Sequence, residues 1–174
     1  EGTYRKVNDH VNIIDLPGIY SLSPYTSEEV ISRNYILDEK PDCIINIIDA
    51  TNLERNLYLT TQLMEIGVPI VLALNMMDVV RKNGDTINKV ELEKVFKLPV
   101  VEISAQKEEN IDQLMEIVLL ESTKSNNARS VLMESELGHL ISDCKIAFET
   151  ANVDHPLFHS IKLIENDEIE IKNH

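Results

Sequence analysis

The 174-residue chain is poor in basic residues and cysteine, and it has no tryptophan. Sixteen Lys and Arg face thirty Asp and Glu, a formal net charge of −14. This balance argues against binding to a nucleic-acid backbone or to an anionic membrane surface. No apolar run approaches the ~20 residues that span a bilayer. Cys43 and Cys144 are far apart and lack metal-ligand spacing, so we expect buried or incidental thiols in a reducing compartment.

Glycine is also scarce, and this excludes one common phosphate-binding loop from these 174 residues. A P-loop requires G-x-x-x-x-G-K-[ST], whose backbone N–H groups and lysine hold the β and γ phosphates. None of the five glycines precedes a lysine. The charge balance leaves room for one phosphate ligand, because backbone N–H groups and a local field can hold it.

Four short apolar segments have the length and the β-branched composition of strands. They are nearly continuous rather than alternating, which is typical of parallel strands covered on both faces. The segments are Val11–Ile14, Cys43–Ile48, Pro69–Leu74 and Pro99–Ile103. A further segment, Thr3–Val7, precedes the first of them across a polar "NDH" turn, so we predict an antiparallel edge hairpin there.

Helical patterns separate the strands. The predicted helices run from a Thr26–Glu29 capping box to about Asp38, from a second box at Thr51 and Glu54 to Gly67, from 89 to 97 and from 111 to 119. The alternation predicts an α/β fold with a mostly parallel sheet.

The last third of the chain has a polar linker and helical patterns but no predicted strand. The polar stretch "STKSNNARS" (122–130) predicts a linker, and helices are expected at 131–151 and 157–164. Few residues remain for an independent core, so we expect this part to pack on the first domain. The tail "ENDEIEIKNH" is expected to be solvated or frayed. The predicted domains are 1–122 and 123–174.

Small or polar residues follow every predicted strand, where open parallel sheets bind ligands. These positions are 15–18, 49–52, 75–78 and 104–107. An aspartate after a strand can accept the N1 and N2 hydrogens of guanine, and a neighbouring asparagine can fix the loop. Each motif alone fits an ordinary turn, and Asp49 alone fits a cap. Their convergence on one sheet edge predicts a binding site.

The motifs "DLPG", "NMMD" and "SAQK" follow one another in the order and spacing of a GTPase G domain, which they resemble. Three longer stretches resemble the cytosolic region of the ferrous iron transporter B family. They are "NIIDLPGIYSLSPYTSEE", "KPDCIINIIDATNLERNLYLTTQLMEIGVPIVLALNMMD" and "HPLFHSIKLIENDE". The resemblance implies residues 1–122 as a G domain and 123–174 as the start of a helical regulatory domain. In that family a membrane iron permease follows.

The resemblance also implies the roles of the site residues. Asp15 would hold Mg²⁺ through a water, the Gly18 N–H would meet a γ-phosphate, and residues 19–32 would form a mobile switch. Asp78 would bind guanine, Asn75 would support the base, and Ser104 and Ala105 would contact the base or brace Asp78. The implied nucleotide-binding set is Asp15, Leu16, Pro17, Gly18, Asn75, Met76, Met77, Asp78, Ser104, Ala105 and Gln106.

The implied ligands are GTP or GDP and Mg²⁺, and the implied partner is the membrane permease of the same parent protein at the cytoplasmic face of the cell membrane. The family places its P-loop, first switch, first strand and first helix upstream of "DLPG". Only 14 residues precede Asp15, so the chain is expected to be a piece of a longer protein. Alone it should bind GTP poorly and hydrolyse it negligibly. Because Ile19 follows Gly18, hydrolysis in the parent is expected to be slow.

Three alternatives stay open. The chain could be a nucleotide-independent interaction module or an inactive part of a G domain, with an exposed sheet edge that favours self-association. It could be an unrelated α/β enzyme with a phosphoacceptor at Asp15 or Asp49, which leaves "NMMD" and "SAQK" unexplained. His155 and His159, four positions apart, could share a metal, although no third ligand has matching spacing.

Overall fold

The structure, a computed structural model, describes residues 2–4, 11–23, 26–125 and 128–173. Five strands and eight α-helices occur in these residues. The strands are β1 (Gly2–Tyr4), β2 (Val11–Ile13), β3 (Ile44–Asp49), β4 (Ile70–Asn75) and β5 (Val100–Glu102). The helices are α1 (Ser27–Asp38), α2 (Leu53–Ile66), α3 (Met77–Asn83), α4 (Lys89–Phe96), α5 (Ile111–Ser122), α6 (Gly138–Thr150), α7 (Pro156–Ile164) and α8 (Glu168–Asn173).

A three-stranded parallel sheet in the order β3-β4-β5 forms the centre of the fold. The register aligns Asp49 with Asn75, so the ends of β3 and β4 lie side by side. Residues 70–74 of the middle strand are all buried, because apolar side chains cover β4 from both faces. The predicted α/β fold with parallel strands is confirmed, and the boundaries of β3, β4 and β5 agree with their predictions to within one residue.

The antiparallel hairpin is confirmed as a pairing of β1 with β2, in which Gly2 lies opposite Ile13 and Tyr4 opposite Val11. Its predicted "NDH" turn lies outside the described residues. Within the described residues, this ribbon forms no ladder with the parallel sheet. Among the described residues, no strand therefore pairs with the outer edge of β3, and Ile47 on that strand is 61% exposed.

Helix ends follow the predicted chemistry in one case and depart from it in another. The Thr26–Glu29 capping box of α1 is present in both directions. The second capping box, at Thr51, was wrong: Asn52 occupies the N-cap of α2 and its side chain makes no capping bond. The reason is that the Thr51 N–H donates to the Asp49 carboxylate at 2.9 Å, which makes Asp49 the cap of a short 3-10 turn, Ala50–Asn52.

The predicted helix over 131–151 was wrong in its first turn. A 3-10 turn, Val131–Glu134, comes first, and α6 begins only at Gly138. Gly138 lies so close to this turn that an added Cβ would clash with the backbone carbonyl of Met133. Because the backbone of the 3-10 turn lies this close to the first residue of α6, position 138 requires a glycine.

The prediction of a solvated or frayed tail was also wrong. Residues 168–173 form α8, and Glu170 within it is only 1% exposed. The C-terminal helices pack on the first part of the chain as expected, since the fully buried Phe158 of α7 belongs to the same apolar cluster as Leu22 and Ile36. No helix within the described residues is long and apolar enough to cross a membrane.

Candidate functional site

The loop between β4 and α3 carries the residues 75–78. Asn75 ends the strand, and Met76 adopts a left-handed conformation with φ 66° and ψ 25°. This conformation is uncommon for a non-glycine residue and costs free energy that the surrounding structure must offset. It turns the chain sharply, so that α3 starts at Met77 directly after the strand. The sequence patterns did not predict α3, which is only seven residues long.

The loop after β5 braces the β4–α3 loop through two side-chain hydrogen bonds. The Ser104 hydroxyl donates to Asp78 Oδ1 at 2.8 Å. The backbone N–H of Ala105 donates to Asn75 Oδ1 at 3.0 Å. Two segments that lie about thirty residues apart are thereby held together, because each polar side chain of one loop has a partner on the other.

Asp78 is the acidic centre of this arrangement. The Ser104 hydrogen bond, followed by the contact with Lys107, holds the pKa of Asp78 below its usual range, so the side chain is ionised at neutral pH. Lys107 Nζ lies 3.3 Å from Oδ2, the oxygen that Ser104 does not use. Lys107 closes the "SAQK" motif, but sequence reasoning assigned it no role, because a lysine in an exposed loop carries no positional signal of its own.

The remaining predicted residues of this region differ in access. Ala105 and Gln106 are exposed, and the Met76 side chain is 39% exposed. Met77 is different, since its side chain is buried in the cluster of Ile48 and Leu72. Only its backbone takes part in the loop, by donating to the carbonyl of Ile103 at 3.2 Å.

The second predicted group, residues 15–18, follows β2 as irregular chain. Asp15, Pro17 and Gly18 are exposed, whereas Leu16 packs on the main apolar cluster. No heavy atom lies within 4 Å of where a Gly18 Cβ would be. The Ser32 hydroxyl of α1 donates to the Pro17 carbonyl at 3.0 Å, which attaches this segment to α1. No described hydrogen bond or ion pair joins it to the Asn75–Asp78 loop.

The chain after Gly18 is anchored from two sides by buried polar groups. The Leu22 N–H donates to Gln62 Oε1 of α2 at 2.7 Å. The Leu22 carbonyl accepts from Arg33 Nη1 of α1 at 3.1 Å. Residues 24 and 25 lie outside the described residues, so the mobile switch predicted over 19–32 stays a prediction. Gln62 was missed because it sits among apolar residues on the buried face of α2.

A buried charge cluster joins α1 to the C-terminal helices. Arg33 is 2% exposed, and its guanidinium contacts the carboxylates of Asp167 at 3.1 Å and Glu170 at 2.9 Å. Lys162, fully buried in α7, donates to the Ser23 hydroxyl at 3.0 Å. The Phe158 ring lies 5.2 Å from the Arg33 guanidinium carbon, a cation–π distance. Sequence reasoning missed the cluster, because its partners lie more than 130 positions apart.

His155 and His159, weighed above as a possible metal pair, contact other groups. Both ring nitrogens of His155 face backbone carbonyls, and Nδ1 of His159 lies 2.6 Å from Glu170 Oε1. Within the described residues, no group of three or more His, Cys, Asp or Glu side chains is arranged to hold a metal ion.

Comparisons with known proteins assign the family. The family model described as "Ferrous iron transport protein B" matches residues 1–118. The chain belongs to this family. A protein of Porphyromonas gingivalis, described as an Fe(2+) transport protein A/Fe(2+) transporter FeoB fusion protein, is 43% identical over 120 residues, which are 68% of this chain and 14% of that protein. The chain therefore spans only a small part of this relative's length.

Solved structures of the family share the fold of this chain. The NFeoB structure from S. thermophilus bound to GDP.AlF4⁻ and K⁺ is 40% identical, with a TM-score of 0.85, over 91% of this chain and 63% of that one. The cytosolic domain of the T. maritima FeoB iron transporter in a GDP form is 26% identical, with a TM-score of 0.91, over 99% of this chain and 68% of that one. The predicted G-domain fold is thus confirmed, along with the family resemblance.

Proposed function

We propose that this chain belongs to the guanine-nucleotide-binding, GTP-hydrolysing regulatory portion of a ferrous iron transporter. The observation that carries the proposal is the ionised Asp78 carboxylate, held in place by the Ser104 hydroxyl at the end of the central sheet. The NFeoB protein of S. thermophilus, a member of the same family, has been solved with bound mGMPPNP and with bound GDP.AlF4⁻. Two relatives are described as transporters of Fe(2+), which supports iron as the proposed transported substrate of the parent protein.

Asp78 supplies the base specificity. A carboxylate accepts two parallel N–H donors, and guanine offers such a pair at N1 and N2, whereas adenine presents an acceptor at N1. The Ser104 hydrogen bond fixes the carboxylate orientation before the base arrives, which lowers the ordering cost of binding. Asn75 braces the loop through Ala105, and Met76, Ala105 and Gln106 form the accessible rim.

Residues 15–18 supply the phosphate side of the site. The Asp15 carboxylate is exposed and has no hydrogen-bond or ion-pair partner among the described residues, so it fits the hard oxygen ligand that Mg²⁺ prefers. When bound, Mg²⁺ would neutralise phosphate charge. Gly18 is exposed, and the space where its Cβ would be is open, so no side chain of this residue obstructs the approach of a phosphate to its backbone N–H.

The 174 residues by themselves are proposed to bind nucleotide weakly. They hold the base-recognition loops and Asp15, but they contain no G-x-x-x-x-G-K-[ST] sequence, and phosphate contacts to such a loop supply charge-assisted hydrogen bonds. Hydrolysis by this chain alone is proposed to be nearly absent. In the parent protein the chain would act at the cytoplasmic face of the cell membrane, next to the permease.

Self-association of the isolated chain is a further part of the proposal. In the part of the chain that the structure describes, no strand pairs with the outer edge of β3, and the side chains of Ile13, Ile14 and Ile47 are exposed. Unpaired strand edges and apolar surface favour association with a second copy. Sedimentation velocity over a range of concentrations tests this point. A single monomer species at all concentrations would contradict it.

Base recognition is tested by nuclear magnetic resonance on the ¹⁵N-labelled 174-residue chain. Guanosine should shift the amide signals of residues 75–78 and 104–106 with a dissociation constant on the order of millimolar, and adenosine should not. Asp78→Asn should reverse the preference towards xanthosine, which carries a carbonyl where guanine has its amino group. Absence of guanosine binding would contradict the proposed function.

Calorimetry with GTP and Mg²⁺ tests the weak phosphate contribution separately. The expected result is an affinity close to that of guanosine. Micromolar binding would show that the 174 residues hold phosphate by groups other than a P-loop. Ser122→Ala, whose hydroxyl donates only to the Leu119 carbonyl of its own helix, serves as a control that leaves both affinities unchanged.

A further inference from the structure

His155 occupies an unusual position between three helices. It is the residue before α7, and its backbone lies in the left-handed region with φ 51° and ψ 48°. Its ring nitrogen Nδ1 is 2.9 Å from the carbonyl oxygen of Ile66, and Nε2 is 3.1 Å from that of Leu37. Ile66 ends α2, and Leu37 lies in the last turn of α1. One side chain therefore bridges the C-terminal ends of two helices.

Both groups that face the ring are backbone carbonyl oxygens, which can only accept hydrogen bonds. A neutral imidazole has one N–H donor and one lone pair, so it can donate to only one carbonyl, and its lone pair would oppose the other. The imidazolium has two N–H donors and satisfies both. Carbonyls at helix C-termini also carry the negative end of the helix dipole, which favours a cation.

The bridge acts on the helix that holds the phosphate-side segment. Two consecutive residues of α1 contact that part of the chain: the Ser32 hydroxyl donates to the Pro17 carbonyl, and Arg33 donates to the Leu22 carbonyl. The position of α1 relative to α2 and α7 therefore sets the position of the chain that follows Asp15. A bond at the far end of α1 contributes to holding this arrangement.

We propose that His155 is a positioning residue that, as an imidazolium, fixes the end of α1 and the end of α2 to the start of α7. Losing one ring proton removes one of the two hydrogen bonds and loosens α1, and with it the segment from Asp15 to Leu22. Only the importance of that segment for nucleotide rests on the proposed function. The bridge itself is a property of the chain without ligand.

Other charges surround the ring and belong in any account of its pH dependence. His155 lines a cleft together with several charged or titratable residues. They are Arg33 and Asp38 of α1, Lys40, Asp154, His159 of α7 and Glu170 of α8. Glu65 of α2 precedes Ile66 in the chain. The carboxylate of Asp154 favours the charged ring, whereas Arg33 and Lys40 oppose it. Among the described residues that line this cleft, His159 is the one other histidine, and its Nδ1 contacts Glu170 Oε1.

The test follows ring protonation and helix protection in the same sample. Long-range ¹H–¹⁵N spectra of the ¹⁵N-labelled chain, recorded without nucleotide from pH 5 to 9, report the protonation of each histidine ring. Hydrogen exchange of the last turns of α1 and α2, expressed as protection relative to an unfolded peptide at the same pH, reports their opening. Loss of one of the two N–H protons of the His155 ring should lower this protection roughly tenfold, the scale of one hydrogen bond to a charged group.

Matched variants separate the bridge from other causes. His155→Asn removes the titration but suits the left-handed backbone, since asparagine is enriched there. It should show low protection at every pH, whereas His159→Gln should keep the pH response of the wild type. A His155 ring that stays charged up to pH 9 supports the proposal if His155→Asn still lowers protection. A ring that is neutral at pH 5 to 6, or protection that is the same in wild type and His155→Asn, overturns it.

Discussion

Arg33 and Glu170 lie 137 positions apart in the chain, yet Nη2 of the guanidinium donates to Oε2 of the carboxylate at 2.9 Å, with both side chains buried. Asp167 takes the other terminal nitrogen of Arg33, at 3.1 Å. The pair of carboxylates belongs to the C-terminal segment, and Arg33 belongs to α1. The last helices of the chain are therefore attached to the helix that holds residues 17 and 22.

Arg33→Met should destabilise the fold strongly, because it removes the cation that contacts two buried carboxylates, Asp167 and Glu170. Breaking a buried ion pair from one side typically costs about 3–5 kcal/mol. The free energy of unfolding from urea titration at pH 7 gives the measurement. Arg33→Lys, which keeps the charge but loses the planar fork of donors, should lose less.

The exposed pair Lys40–Asp154 provides the control for this cost. Its two side chains are 57% and 73% exposed, and exposed ion pairs contribute about 0–1 kcal/mol. Lys40→Ala should therefore change the unfolding free energy very little. Equal losses for Lys40→Ala and Arg33→Met would show that the Arg33 cluster is solvated in solution rather than buried.

Glu65 should make the fold less stable as the pH rises. Burial in α2 raises the pKa of Glu65 to about 7, opposed by the hydrogen bond from Ser130. Because the folded-state pKa lies above the unfolded one, the folded state binds the extra proton, and this stabilisation is complete below about pH 4. It is lost between there and about pH 7, as the buried carboxylate has to ionise.

Glu65→Gln should remove this dependence and stabilise the chain at pH 8 by on the order of 2 kcal/mol. The amide keeps an oxygen that can accept from the Ser130 hydroxyl, and it carries no charge to desolvate. Thermal unfolding at pH 5 and pH 8 provides the comparison, with exposed Glu116 changed to Gln as the control. The prediction would be contradicted if the unfolding temperature changed by the same amount between pH 5 and pH 8 in Glu65→Gln and in wild type.

Local sequence patterns were sufficient to predict the parallel strands and the loops that follow them. Continuous apolar runs bounded by polar turns predicted β3, β4 and β5, and the short crossings between them placed Asn75 and Ser104 at one sheet edge. The bond from Ser104 to Asp78 then follows from neighbouring strands in register. These features depend on residues close in sequence, which is why they could be predicted.

Features that depend on distant partners could not be predicted in the same way. The acidic tail predicted a frayed segment, because nothing within ten residues of Glu170 signals that Arg33 will meet it. Likewise His155 precedes Pro156 in an ordinary helix-start pattern, and the two carbonyls that it bridges belong to helices formed about 90 and 120 positions earlier. Thr51 lost its predicted capping role to a competing acceptor, Asp49, two residues away.

Ser104→Ala should raise the pKa of Asp78 towards its usual value, since the Ser104 hydrogen bond is the main cause of its lowering. A lowered folded-state pKa gives stability that is present above the unfolded-state value, about pH 4, and is lost as the pH falls through the folded-state value. The variant should therefore lose less stability on acidification than wild type. Titration of the ¹³C-labelled Asp78 carboxyl measures the shift directly, and Ser122→Ala should leave it unchanged.

Lys107→Ala should strengthen guanosine binding, because Lys107 occupies the Asp78 oxygen that the base needs. Ser104 takes Oδ1 and Lys107 Nζ lies 3.3 Å from Oδ2, so a guanine that donates N1–H and N2–H has to displace the lysine. An ion pair with an exposed lysine is weak, so the expected gain in affinity is at most about fivefold. The gain should shrink in high salt, since screening already weakens the pair in wild type.

Lys94→Ala is the matched control for this last prediction, because Lys94 is also an exposed lysine paired with a carboxylate, Glu91, at 3.9 Å, but on α4. It removes the same charge from the chain, so any effect of net charge on the ligand would appear in both variants. Binding measured by amide shifts should tighten only for Lys107→Ala. Weaker guanosine binding in Lys107→Ala would mean that the lysine contacts the base or ribose instead of competing for Asp78, and equal affinities would mean that it leaves Oδ2 free in solution.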